Sequence, residues 1–124
     1  MNSRRSEFTV LLAEDELFLR MELADELQEA GWRLLEAGTG EAAMTFLDQD
    51  EKIDFLITDI RLGGAVDGWQ VAERFREIHP DGAVIYVSAN PDLAARRVKG
   101  SVFLGKPVDM KTLLNTCDRL MLKG

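Results

Sequence analysis

Basic residues, cysteine and histidine are scarce in this chain, and no apolar run is long. Lys and Arg number 15 against 22 Asp and Glu, a net charge of −7. That balance disfavours nucleic-acid binding, which relies on Lys and Arg to neutralise phosphates, and favours partners with basic or apolar surfaces. The one cysteine, Cys117, cannot form an internal disulfide; lying in an apolar helical pattern, it reads as a small packed side chain. No stretch approaches the length that spans a bilayer. The paired arginines Arg4 and Arg5 precede an apolar run, but that run stops at Glu14-Asp15-Glu16, too short and too soon acidic for an export signal. There is no internal repeat, low-complexity tract or linker. With no membrane and no nucleic acid as partner, a cytoplasmic location is expected. Within 124 residues there is room for one domain, and a 46% hydrophobic content suffices for its core.

What is present alternates in period. Phe8 to Ala13 is a short continuous apolar run, as in a strand buried on both faces. Apolar residues from Leu17 to Ala30 recur at near-helical spacing up to Gly31, a helix stop. Trp32 to Ala37 reads as a second strand, and Thr39 caps a second helix carrying Ala42, Ala43, Phe46 and Leu47. Ile53 to Thr58 forms a third strand that delivers Asp59 at its end, followed by a loop punctuated by Gly63, Gly64 and Gly68. Helix returns from Trp69 to Ile78 and stops at His79-Pro80. Ala83 to Ser88 is a fourth strand, Pro91 to Val98 a short fourth helix, Ser101 to Leu104 a fifth strand, and Asp109 opens a final helix through Leu122. Five strands alternating with five helices predict a three-layer α/β domain around a parallel sheet with right-handed crossovers. Residues 1–7 are expected as a mobile tail.

In such a sheet the carboxyl ends of the strands share one edge, where ligands bind. Glu14 and Asp15 follow the first strand, Asp59 the third, Ser88 closes the fourth and Lys106 follows the fifth. Three acids, a hydroxyl and an amine therefore converge. Clustered carboxylates repel unless a cation shares them, and oxygen ligands without His or Cys suit magnesium better than zinc. Magnesium can bring in phosphate; Asp59 could then attack phosphorus while Lys106 and Ser88 contact the phosphoryl oxygens.

These motifs, Leu12-Ala-Glu14-Asp15-Glu16, Leu56-Ile-Thr-Asp59-Ile-Arg61-Leu, Asp67-Gly68-Trp69, Val84-Ile-Tyr-Val-Ser88-Ala89 and Phe103-Leu-Gly-Lys106-Pro107, resemble the response-regulator receiver family of two-component systems from Phe8 onward. The resemblance implies one receiver domain over 8–124, doubly wound and flavodoxin-like, with strand order 2-1-3-4-5. It implies that Asp59 is the phosphoacceptor, and that Mg2+ is bound by Asp15, Asp59 and the backbone carbonyl of Arg61, with Glu14 acting through water. Ser88 and Phe103 would be switch residues that move after phosphorylation, and Lys106-Pro107 a cis bond. The partners implied are a histidine kinase or histidine phosphotransfer protein and an unnamed downstream target protein. The chain would act as a stand-alone regulator or phosphate shuttle, monomeric or dimerising on phosphorylation. Such a module is no enzyme beyond gaining and losing phosphate at Asp59.

Several residues depart from the family pattern. Phe103 lacks the hydroxyl that many relatives carry, so its two positions must differ by packing alone. Residues 63–66 lack the usual proline and are slightly lengthened, which predicts a looser loop. Between Ser88 and Lys106 the chain is about one helical turn short, so the fourth helix is short or irregular. Arg61 and Asn90 stand at positions that tune phosphoryl loss.

Plainer readings exist for each residue. Glu14 and Asp15 could cap the first helix, Ser88 could begin a turn, Phe103, Trp32 and Trp69 could be packing alone, and Arg96, Arg97 and Lys99 read as a solvated face. His79 reads as a helix-end residue. The functional rival is a haloacid-dehalogenase-type phosphatase, which also uses an aspartate, magnesium, a hydroxyl and a lysine. It needs a second acid two residues past the nucleophile, where this chain has Arg61. Met1 and the polar tail favour a complete chain over a receiver cut from a larger regulator or hybrid kinase.

Overall fold

Five strands, Thr9–Ala13 (β1), Arg33–Ala37 (β2), Phe55–Asp59 (β3), Ala83–Ser88 (β4) and Val102–Gly105 (β5), form one parallel sheet in the order 2-1-3-4-5. The computed structural model describes residues 3–49, 52–89 and 94–122. Among the described residues, four α-helices lie between and after the strands: Leu17–Glu29 (α1), Gly40–Asp48 (α2), Gly68–Ile78 (α3) and Met110–Met121 (α4).

Side chains alternate across each strand, so the two faces have separate cores. Leu11, Ala13, Leu56, Val84 and Tyr86 face α2 and α3, meeting Ala43, Leu47, Val71, Ala72 and Phe75. Val10, Leu12, Phe55, Ile57, Ile85 and Val87 face α1 and α4, meeting Leu23, Ala24, Leu27, Leu113 and Cys117. Every residue of β3 is buried, which is why this strand reads as a continuous apolar run. Trp32 is buried in the second core, 5.2 Å from the Phe55 ring and 6.1 Å from Phe8. It is packing, as expected of it. Burial pushes the Cys117 thiol up to about 12, so it is inert at neutral pH.

The helix ends follow local chemistry. Thr39 Oγ1 accepts the Ala42 N–H at 3.0 Å, and Asp109 accepts the Thr112 N–H at 3.0 Å. Asp67 and Gln70 form a reciprocal capping box at the start of α3, with both bonds at 2.9 Å. At the end of α1, Gly31 takes φ 104°, and the Gly31 and Trp32 amides donate back to Gln28 and Leu27. That is the left-handed helix stop that favours glycine.

The fourth helix, predicted from Pro91 to Val98 and expected to be short or irregular, is irregular in its described part and no α-helix there. Pro91 to Leu93 lie outside the described residues, as does Asn90, and Ala94–Arg96 is a 3-10 turn. The Val98 N–H bonds the Tyr86 hydroxyl and Gly100 turns with φ 77°, so helical bonding does not continue. Where residues 1–7 are expected as a tail, Ser3–Glu7 forms a 3-10 helix. Arg5 clasps the Asp118 carboxylate with bonds of 2.9 and 2.8 Å and also donates to the Ala30 carbonyl.

Candidate functional site

Because all five strands run parallel, their carboxyl ends open on one edge. There Glu14, Asp15, Asp59, Ser88 and Lys106 line a single cavity of about 440 Å³, together with Arg61. The strand order sets β1 beside β3, so the acids after β1 come against the acid ending β3. One carboxylate oxygen from each of Glu14, Asp15 and Asp59 lies within 4.8 Å of the others. β4 and β5 bring in the other two groups: Ser88 pairs with Gly105, and the Lys106 N–H donates to the Ser88 carbonyl at 2.9 Å. Lys106-Pro107 is cis.

Each side chain is held. Lys106 Nζ lies 2.5 Å from Asp59 Oδ2 and 3.5 Å from Glu14 Oε1. Asp59 Oδ1 accepts the Arg61 N–H at 3.1 Å. Glu14 Oε2 accepts the Glu16 N–H at 3.0 Å, and Asp15 Oδ2 accepts the Gly63 N–H at 3.1 Å. The acids after β1 thus do not cap α1, whose first turn has no side-chain cap. Asp15 instead pins the loop after β3, and Glu41 Oε2 pins it again at the Ala65 N–H, 3.1 Å away. The loop expected to be looser is tethered at two amides, both to side chains distant in sequence.

Glu14 is almost completely buried, and its Oε1 has no hydrogen-bond partner. Burial pushes its carboxyl up to about 7, with the nearby Asp59 and Asp15 charges adding to the shift and the Glu16 N–H and Lys106 opposing it. For Lys106, burial works against the ammonium, yet the bond and charge of Asp59 and the charge of Glu14 outweigh it and raise its pKa. An orphaned buried carboxylate oxygen among three acids, with only oxygen donors, fits a hard divalent cation such as Mg2+.

Arg20 also shapes the site and carries no signal in the linear sequence. The Arg20 guanidinium donates to the Glu14 carbonyl at 2.8 Å and lies 3.6 Å from Glu36. Thr58 Oγ1 donates to the Asp59 carbonyl at 2.8 Å. A Cβ at Gly68 would stand 1.9 Å from that same carbonyl oxygen, so the close approach of α3 to Asp59 requires glycine. Phe103 packs with ring centroids 5.0 Å from Tyr86 and 6.2 Å from Trp69.

The Response regulator receiver domain family model matches residues 10–118. The chain is 31% identical over 119 residues to the response regulator receiver protein CpdR of Brucella abortus, covering 91% of this chain and 96% of that one. It is 32% identical to the sensor kinase CckA of the same organism over 93% of this chain, but spans only 13% of CckA. Among solved structures, a response regulator receiver protein from Sinorhizobium medicae superposes with a TM-score of 0.88 at 34% identity, covering 94% of this chain and 95% of that one. The receiver domain of the hybrid histidine kinase CckA gives a TM-score of 0.79 at 30% identity, covering 91% and 98%.

Proposed function

Because the chain belongs to the response regulator receiver domain family, the signalling modules of two-component systems, we propose that it accepts a phosphoryl group on Asp59 with Mg2+ and uses the gain to alter its protein contacts. The observation that carries this reading is the Lys106 ammonium seated 2.5 Å from Asp59 Oδ2 and 3.5 Å from the buried Glu14 Oε1, which has no hydrogen-bond partner. Glu14, Asp15, Asp59 and the Arg61 backbone carbonyl would hold the metal, which, when bound, neutralises phosphoryl oxygens. In the transfer, an Asp59 oxygen forms a bond to phosphorus as the bond to the donor, a phosphohistidine nitrogen, breaks. Lys106, seated against Asp59, offers its charge to the phosphoryl oxygens. Ser88, at the end of β4 in the same cavity, offers its hydroxyl to another of them. Arg61 stands where a phosphatase needs its general acid, so turnover of external phosphoesters is not expected.

The phosphodonor is a histidine kinase or histidine phosphotransfer protein in the cytoplasm. Its docking face is supported by α1, where Leu17, Phe18 and Met21 are 52%, 79% and 50% exposed just past the cavity mouth at Glu16. Acetyl phosphate with Mg2+ should label the chain, and mass spectrometry should place the added group on Asp59. Asp59→Asn should abolish labelling; a labelled Asp59→Asn protein would move the acceptor elsewhere.

A further inference from the structure

Phe103 was expected to hold its position by packing alone, yet a cation also sits on it. The Arg97 guanidinium carbon is 4.9 Å from the Phe103 ring centroid, a cation–π distance. Arg97 is fixed there. Its Nε donates to Ser101 Oγ at 3.0 Å, and a terminal nitrogen donates to the Ser101 carbonyl. Ser101 Oγ donates in turn to the Val98 carbonyl at 2.7 Å, and the Val98 N–H donates to the Tyr86 hydroxyl at 3.1 Å. Tyr86 is wholly buried in β4 with its ring against Phe103. Residues 97–101 therefore close a circuit that starts on Tyr86 and returns to Phe103 through Arg97. Moving Phe103 away from Tyr86 breaks the Arg97 stacking, and moving Arg97 breaks both of its bonds to Ser101.

Resting on the receiver reading above, in which Phe103 moves on phosphorylation, we infer that Arg97 is a positioning residue that latches Phe103 to residues 97–101 in the unphosphorylated protein, and that the latch opens when Asp59 is occupied. The restraint that a ring hydroxyl would supply comes here from a cation on the ring face. Arg97 directly follows the 3-10 turn Ala94–Arg96, and the Val98 N–H then reaches the Tyr86 hydroxyl.

Amide hydrogen exchange on the full chain reads the latch directly. Arg97→Gln should speed exchange at Val98 and Ser101 by about tenfold and leave the β3 amides unchanged. Arg97→Lys keeps the charge without the planar fork and should restore part of the protection. Beryllium fluoride with Mg2+, a mimic of an aspartyl phosphate, should speed the same amides in the wild-type chain. By linkage, Arg97→Gln should bind beryllium fluoride roughly fivefold more tightly. The latch is overturned by unchanged exchange in Arg97→Gln, or by unchanged protection in the wild type carrying beryllium fluoride. It is overturned too if Arg96→Gln, whose guanidinium pairs with Glu73 on α3 at 2.9 Å, has the same effect on binding. If the wild type takes up no beryllium fluoride, the receiver reading fails, while the comparison of Arg97→Gln with wild type still decides the resting latch.

Discussion

At Glu14 the fold holds a carboxyl in the state it least prefers. Its pKa is raised from an ordinary 4.5 to about 7 by burial, so folding favours the protonated form. The sign follows from linkage: this contribution is fully present below about pH 4.5 and is lost as pH rises through about 7, a change on the order of 3 kcal/mol. Melting temperature in the absence of Mg2+ should fall across that window and level off above it. Added Mg2+ should offset the fall, increasingly so toward pH 8, because the ionised group is the one that binds metal. A flat profile without metal would mean that Glu14 titrates normally. Lys106→Ala should spare much of the Mg2+ affinity and still allow some labelling of Asp59, yet separate labelling from any change in exchange at Val98. Full coupling in that variant would remove its assigned role. Both residues were visible in the sequence as ends of strands. What a linear reading does not contain is that Glu14 Oε1 has no hydrogen-bond partner, since that depends on which backbone amides reach it after folding.

The elements meet the site through their ends. Helix α3 begins with the Asp67–Gln70 capping box directly behind the Asp59 carbonyl. Asp67→Ala should lower stability by about 1 kcal/mol, several degrees in melting temperature, while leaving Asp59 labelled by acetyl phosphate. Gly68→Ala sets a methyl against backbone, which cannot move as a side-chain tip can, and should cost more than the cap does. A Gly68→Ala chain as stable as wild type would contradict the packing at that approach. The strands, the caps at Thr39 and Asp109 and the stop at Gly31 were legible because each rests on residues within one turn of each other. The Pro91–Val98 helix was not, because its described end is decided by Tyr86, a residue on another strand. The same holds for the loop after β3, tethered by Asp15 and Glu41 across the sheet edge.

For the molecule as a whole, alternating periods and acidic strand ends were enough to place the sheet and the cluster of five side chains, because a doubly wound sheet gathers its strand ends on one edge; the strand order came from the family resemblance. Surface partners were less accessible to sequence, since exposure of apolar residues on α1 is a property of the packed molecule. Leu17, Phe18 and Met21 remain open there while Leu23 and Leu27 of the same helix are buried. Phe18→Ser should leave stability within about 0.5 kcal/mol and acetyl phosphate labelling unchanged. Transfer from the histidine kinase that phosphorylates the wild-type chain should slow by about tenfold. Equal transfer rates would place the donor on another face. Among the described residues no helix is long and apolar enough to cross a membrane.

The cavity is assembled from the first strand and from the residue just beyond the last. A ribosome that has produced β1 through β4 has made all three acids and the serine but not the lysine that compensates them. A chain cut short before β5 lacks the ammonium that stands against Asp59 and Glu14.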